Sequence, residues 1–161
     1  MHTLPAGVPV VKPPEWINGG GGNPGGVPSG NYVHTGSTPL PGGTYRFNNL
    51  TIDLQSTLTF TGPASLYVRG DVILRNGGSA LAYRSIPANL RIYQDGSGVR
   101  FETFNNAVIT AVVIAPGSAF IANNNFIFRG ACLFDSITCW NNGEFYFDET
   151  AGEVAALSLV Q

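Results

Sequence analysis

The sequence predicts an all-β fold, a single-stranded right-handed parallel β-helix (solenoid) of about five or six coils over residues 41–149. Two observations carry this reading. The first is a self-match: shifting the stretch from Asn105 to Glu149 by 19 residues superposes Ile109, Phe128 and Phe147, and likewise Val108, Ile127 and Tyr146. The same shift lays Phe120 on Cys139, Val113 on Cys132, Ile114 on Leu133 and Asn123 on Asn142. A period this short is too small for a pair of helices, but it fits one solenoid coil, whose inward face is buried only when a neighbour stacks on it. The second observation is alternation of period two from Thr44 onward, in runs of three to five residues that each end at a turn residue. An antiparallel sandwich also has short strands and frequent turns, but it gives no reason for like to fall on like at a constant offset. The right hand follows from the crossover rule for parallel strands.

Taken in order, residues 1–40 are a Pro/Gly-rich lead-in or N-terminal cap. Pro13-Pro14, Gly19 to Gly22 and Asn23-Pro24-Gly25-Gly26 leave no room there for a long regular element. Within it, Trp16 and the pair Tyr32-Val33 are the side chains suited to cover the first coil, whose open sheet edge needs covering. The expected inward residues then run Tyr45, Phe47; Leu50, Ile52; Leu58, Phe60; Leu66, Val68; Val72, Leu74; Leu81, Tyr83; Leu90, Ile92; Val99, Phe101. Corners fall at Asn48-Asn49, Gly62-Pro63, Gly70-Asp71, Asn76-Gly77-Gly78 and Asp95 to Gly98, where Gly, Asn and Pro supply the required φ. The pairs Asn105-Asn106, Asn124-Asn125 and Asn141-Asn142 are structural corners: Asn tolerates the left-handed conformation, and stacked amides bond along the stack. Residues 150–161 form a C-terminal cap or tail. Thr150-Ala151-Gly152-Glu153 has capping-box spacing, so Ala151 to Leu157 reads as a short helix, with a tail strand over Leu157 to Val160 as the alternative.

The residues also resemble a known family. Pro41-Gly42-Gly43-Thr44-Tyr45, the run Thr61-Gly62-Pro63 to Leu66-Tyr67-Val68-Arg69-Gly70-Asp71-Val72, Asn89 to Tyr93, Ile114-Ala115-Pro116 and Tyr146 to Glu149 follow one another as in the β-helical C-terminal domain of bacterial prepilin-like proteins associated with type IV pilus assembly. This chain departs from that pattern at Ile114, where the family usually has Tyr, and at Phe147, which separates Tyr146 from Asp148. The resemblance implies an exported, extracellular or cell-surface structural domain. It brings no catalytic residues. A weaker likeness runs to ice-binding solenoids and to bactofilin-type polymerising β-helices.

Composition narrows the chemistry. Only 11% of residues are charged and the net charge is -2, with seven Arg scattered from Arg46 to Arg129, so no basic stripe exists to track a nucleic acid. No apolar run is long enough to insert in a membrane. Two cysteines without a neighbouring His do not make a metal site, and no cofactor motif is present. Cys132 and Cys139 are expected to face one coil's core, as buried thiols or as a disulfide. Glu144 and Asp148 share a strand face and are the only carboxylates at glycosidase-like spacing, but they stand alone, and the chain reads as non-enzymatic. The row Thr57, Thr59, Thr61 would order water only if its neighbours in the stack were also Thr. Ile127, Trp140 and Tyr146 are expected to point outward, as a contact face for another copy or another pilus or surface protein, or as a glycan-stacking face.

Overall fold

The computed structural model describes residues 22–151, so Trp16 and the segment Leu157 to Val160 lie outside the described residues. The alternating sequence produces twelve strands: β1 (Asn31–His34), β2 (Gly43–Phe47), β3 (Asn49–Ile52), β4 (Thr57–Leu58), β5 (Ala64–Val68), β6 (Val72–Leu74), β7 (Ser79–Leu81), β8 (Leu90–Gln94), β9 (Arg100–Thr103), β10 (Val108–Asn123), β11 (Ile127–Trp140) and β12 (Glu144–Phe147). Every strand pairing is parallel.

The pairings define three stacked faces. The first carries β1, β3, β6, β9 and the C-terminal parts of β10 and β11. On the second lie β4, β7, Val108 to Thr110 of β10, Ile127 to Arg129 of β11, and β12. The third carries β2, β5, β8, Val112 to Ile114 of β10, and Ala131 to Leu133 of β11. The chain visits the faces in that order on each turn and completes about six turns, a parallel β-solenoid. Its first coil opens at Asn31, ten residues before the expected start at 41, because Tyr32 and His34 already lie on Leu50 and Ile52.

Coil length is not constant. Tyr32 lies on Leu50, Leu50 on Val72, Val72 on Phe101, Phe101 on Phe120 and Phe120 on Ile137, steps of 18, 22, 29, 19 and 17 residues. The period of 19 therefore holds for Ile109 on Phe128, Val113 on Cys132 and Ile114 on Leu133. It fails in the last coil. Between Ala115 and Ala119 the register shifts against Phe134 and Ser136, so a single residue, Asp135, faces Pro116 to Ser118 and the coil loses two residues. As a result Phe128 carries Phe145 rather than Phe147, Arg129 carries Tyr146, and Ala122 rather than Phe120 carries Cys139. The step of 29 holds an insertion with two 3-10 turns, Tyr83–Ser85 and Pro87–Asn89.

Inward side chains form one continuous core, and the alternation places nearly all of them correctly. The exceptions are β7, where Ala80 and Ala82 point in and Leu81 and Tyr83 do not, and Val99, which is only partly buried and outside the core. From the fourth coil upward the core is aromatic: the Phe120 ring lies 5.7 Å from Phe101, 5.7 Å from Phe126, 6.4 Å from Phe128, 5.0 Å from Phe134 and 6.1 Å from Phe145. Aromatic pairs in such offset and edge-to-face arrangements add about 0.5–1.5 kcal/mol each beyond their buried area.

One corner shows how sequence sets the turn. Gln55, Gly77, Asn106, Asn125 and Asn142 occupy successive coils there, all with φ between 40° and 73°. Asn supplies that conformation where Gly does not. The amides also bond from coil to coil: Asn124 Nδ2 donates to Asn105 Oδ1 at 2.9 Å, Asn141 Nδ2 to Asn124 Oδ1 at 2.7 Å and Asn142 Nδ2 to Asn125 Oδ1 at 3.1 Å. All six asparagines lie at corners of the solenoid. On another corner Asn49 Nδ2 donates to Asn31 Oδ1 in the same sense, later coil to earlier.

The N-terminal end is closed. Tyr32 stacks on Phe47 at 5.1 Å, and Val27 and Leu40 pack against the core. Asn23 is buried and stands in for a neighbouring strand: the Arg46 N–H donates to its Oδ1 at 2.8 Å, and its Nδ2 donates to the Arg46 carbonyl at 3.1 Å. His34 is 3% exposed, with Nε2 donating to the Thr57 carbonyl at 3.1 Å and Nδ1 accepting from the Tyr32 hydroxyl at 3.2 Å. Burial holds its pKa below the ordinary histidine range, and the Thr57 bond opposes that shift in part. The unfolded chain thus takes up the proton before the folded one does. Stability is complete above the ordinary histidine pKa and falls as pH drops through the folded value. Protection factors of β1 amides, that is exchange rates corrected for their intrinsic pH dependence, are expected to fall on mild acidification, and His34→Gln to remove that dependence; an unchanged pH profile in the variant would refute the assignment.

A candidate assembly site at the open C-terminal end

The last coil consists of the C-terminal part of β11 and of β12, and no strand pairs with its outer edge among the described residues. Parity along these strands is fixed by the coil below. Ile137 lies on Phe120, Cys139 on Ala122 and Phe145 on Phe128, all buried positions, so these side chains point over the core, and among the described residues no further strand stacks on them. Their exposure follows: Ile137 is 51% exposed, Phe145 45%, and Phe147, which lies on Gly130, 71%. Trp140, 59% exposed, flanks this end beside the Asn141-Asn142 corner. Ile137, Cys139 and Phe145 thus make an apolar platform over an aromatic core at a sheet edge unpaired among the described residues, with Phe147 at its margin beside Pro87 and Trp140 on the outward face.

The outer rim of β12 is polar. Glu144 and Tyr146 share the outward face, and the Tyr146 hydroxyl donates to Glu144 Oε2 at 2.7 Å. That bond, with the charge of Glu144, pushes the Tyr146 pKa up. The Arg129 guanidinium sits over the Tyr146 ring at 5.4 Å. Behind it an open cleft of about 550 Å³ is lined by Ser85, Pro87, Arg129, Tyr146, Asp148 and Glu149, among others. Glu144 does not line it, and Asp148 Oδ1 accepts from the Ala151 N–H at 3.1 Å as a helix N-cap. Both candidate carboxylates therefore have partners within the chain, and they do not face one cleft.

The expected outward row separates. Tyr146 lies on the second face, over Arg129, and Ile127 is partly buried beside it under Glu144. Trp140 lies on the first face, opposite Asn123 and across the Asn corner. The three do not form one contact strip, because the shortened last coil moves Tyr146 off the Ile127 position. Cys132 and Cys139 both lie on inward positions, over Val113 and Ala122; Cys132 is half-buried against the core and Cys139 exposed, and both thiols are free. Burial, with Cys139 adding to it, pushes the Cys132 thiol pKa up. The Thr row has Ser79 beside Thr57 in the stack, not Thr. Among the described residues no cluster of three or more metal-ligating side chains occurs, and no helix is long and apolar enough to cross a membrane.

The model of one family, a domain of unknown function (DUF7305), matches residues 30–154, from the residue before β1 to just past the first helical turn after β12. The chain belongs to this family. The DUF7305 match thus spans all six coils, including the open end. No curated protein and no solved structure matches the chain.

What the sequence did not identify is the platform itself. Ile137 and Phe147 carried no signal of exposure, since each has the parity of a core residue. The only trace was the end of the alternation at Asp148-Glu149.

Proposed function

We propose that this chain is a non-enzymatic structural or assembly domain of an exported surface protein, and that it joins other protein chains through the open end of its solenoid. One observation carries the reading: the last coil leaves Ile137 and Phe145 exposed above a closed aromatic core, with Phe147 exposed at the margin, whereas the first coil is sealed. An uncovered coil is half of a contact, because a solenoid buries its inward face only by stacking. The motif likeness to pilus-associated prepilin-like domains is consistent with such a role and supplies the expected setting, a pilus or another filament-forming surface assembly.

A photo-reactive phenylalanine analogue at position 147 tests this in cells making the full protein. Covalent adducts to a protein chain are expected. Their absence, with adduct-free protein correctly folded, would overturn the assembly reading.

A further inference from the structure

We propose that Asn142 is a site of spontaneous modification: the Gly143 backbone nitrogen attacks its side-chain amide and converts the last rung of the asparagine ladder to aspartate or isoaspartate as the folded protein ages.

The fold itself puts a reactive dipeptide at this place. Asn142 has φ +40° and donates from Nδ2 to Asn125 Oδ1 at 3.1 Å, two reasons for Asn at the corner. The next residue has to be Gly, because a Cβ on Gly143 would run into the Phe126 ring of the coil below. In the coils beneath, Asn106 is followed by Ala107 and Asn125 by Phe126, both buried and both with a side chain beside the backbone nitrogen. Asn-Gly is the least hindered pair for attack of a backbone nitrogen on Cγ, since Gly has no such side chain.

The described residues hold two Asn-Gly pairs, Asn76-Gly77 and Asn142-Gly143, and the stack treats them in opposite ways. Asn18-Gly19 lies outside the described residues. The first pair is clamped from both sides: the Asn76 carbonyl accepts from the Gln55 N–H at 2.9 Å, and the Gly77 N–H donates to the Asn105 carbonyl at 2.7 Å. Its nitrogen cannot turn toward Cγ without breaking the ladder. At the second pair the Gly143 N–H has no acceptor among the described residues, and Asn141, Asn142 and Gly143 are all exposed. Bringing that nitrogen against Cγ gives up one exposed bond, from Asn142 to Asn125.

The step balances with water as the only co-reactant and no change of oxidation state. The Gly143 nitrogen forms a bond to Cγ, its proton departs with the amide nitrogen as ammonia, and a cyclic imide remains. Water then opens the ring. Cleavage at Cγ leaves aspartate, and cleavage at the backbone carbonyl leaves isoaspartate, with one more carbon in the main chain. Either product replaces the Nδ2 donor by a carboxylate oxygen that faces Asn125 Oδ1 without a hydrogen. The longer backbone of isoaspartate also shifts β12 against β11, so the modification loosens the open end and leaves the rest of the stack in place.

The test uses the full chain, kept folded in mildly alkaline buffer and sampled over time. Peptide mapping by mass, with fragmentation to identify isoaspartate, follows Asn76 and Asn142 in the same digest. Asn142 is expected to convert about tenfold or more faster than Asn76, the effect of one hydrogen bond on the attacking nitrogen. In denaturant the difference should disappear. Equal or reversed rates in the folded chain would overturn the proposal, and so would a difference of the same size in denaturant, which would trace it to the neighbouring residues and not to the stack. Hydrogen exchange of the aged protein should show lost amide protection in β12 with β2 to β6 unchanged; full protection of β12 in converted protein would overturn the loosening.

Discussion

Phe128→Asp is expected to abolish the cooperative thermal transition of this chain. Phe128 is 2% exposed in the fifth coil, with its ring 6.4 Å from Phe120 and 5.8 Å from Phe145. A carboxylate there would have no cation within the core and no solvent, a burden of several kcal/mol against a total stability of about 5–15 kcal/mol for a domain. The loss of ring contacts adds about 3–5 kcal/mol, the usual effect of truncating a buried Phe. The comparison that tests the register is between Phe145→Asp and Phe147→Asp. A uniform period of 19 would put Phe147 on Phe128, whereas the shortened last coil puts Phe145 there. Circular dichroism melts should therefore show a large drop for Phe145→Asp and little change for Phe147→Asp; the reverse order would refute the shortened coil.

Gly130→Val is expected to be nearly as damaging, for a backbone reason. Gly130 has φ +136°, which a β-branched residue adopts only under strain, and it lies where β11 turns from the second face to the third. A Cβ there would collide with the Ala111 carbonyl oxygen of the coil below and stand 3.0 Å from the Pro87 side chain of the inserted loop. Neither neighbour can yield easily, since Ala111 is fixed in the β10 ladder. The expected result is detachment of the fifth and sixth coils, seen as lost amide protection in β11 and β12 with β2 to β6 still protected. Uniform protection in the variant would show that the corner is more adaptable than its geometry implies.

How much of this was legible in the residues depended on where size and spacing agreed. In β3, β5 and β6 the inward positions carry large aliphatic side chains and the outward ones do not dominate, so period two alone fixed the face. In β7 the inward residues are Ala80 and Ala82, whose small size gives no phase, and the larger Leu81 and Tyr83 set a false one. The repeat was visible only where coils match in length. Phe101, Phe120 and the strands after them repeat at 19, but the insertion Tyr83–Asn89 hides the step before, and the loss of two residues at Asp135 spoils the step after. That small deletion accounts for every misplaced residue near the open end, Cys139 and Tyr146 included. Exposure of Ile137 and Phe147 could not be read at all, because it depends on where the stack stops and not on the residues themselves.

The direction of the asparagine ladder has a consequence for how the chain is made. In each rung the later coil gives the hydrogen and the earlier coil receives it: Asn49 to Asn31, Asn124 to Asn105, Asn141 to Asn124 and Asn142 to Asn125. A polypeptide that emerges amino terminus first therefore always finds its acceptor already laid down. Each coil can be secured on arrival without waiting for sequence still to come. The molecule is built like a course of masonry, in which every new row is bonded only to the one beneath it.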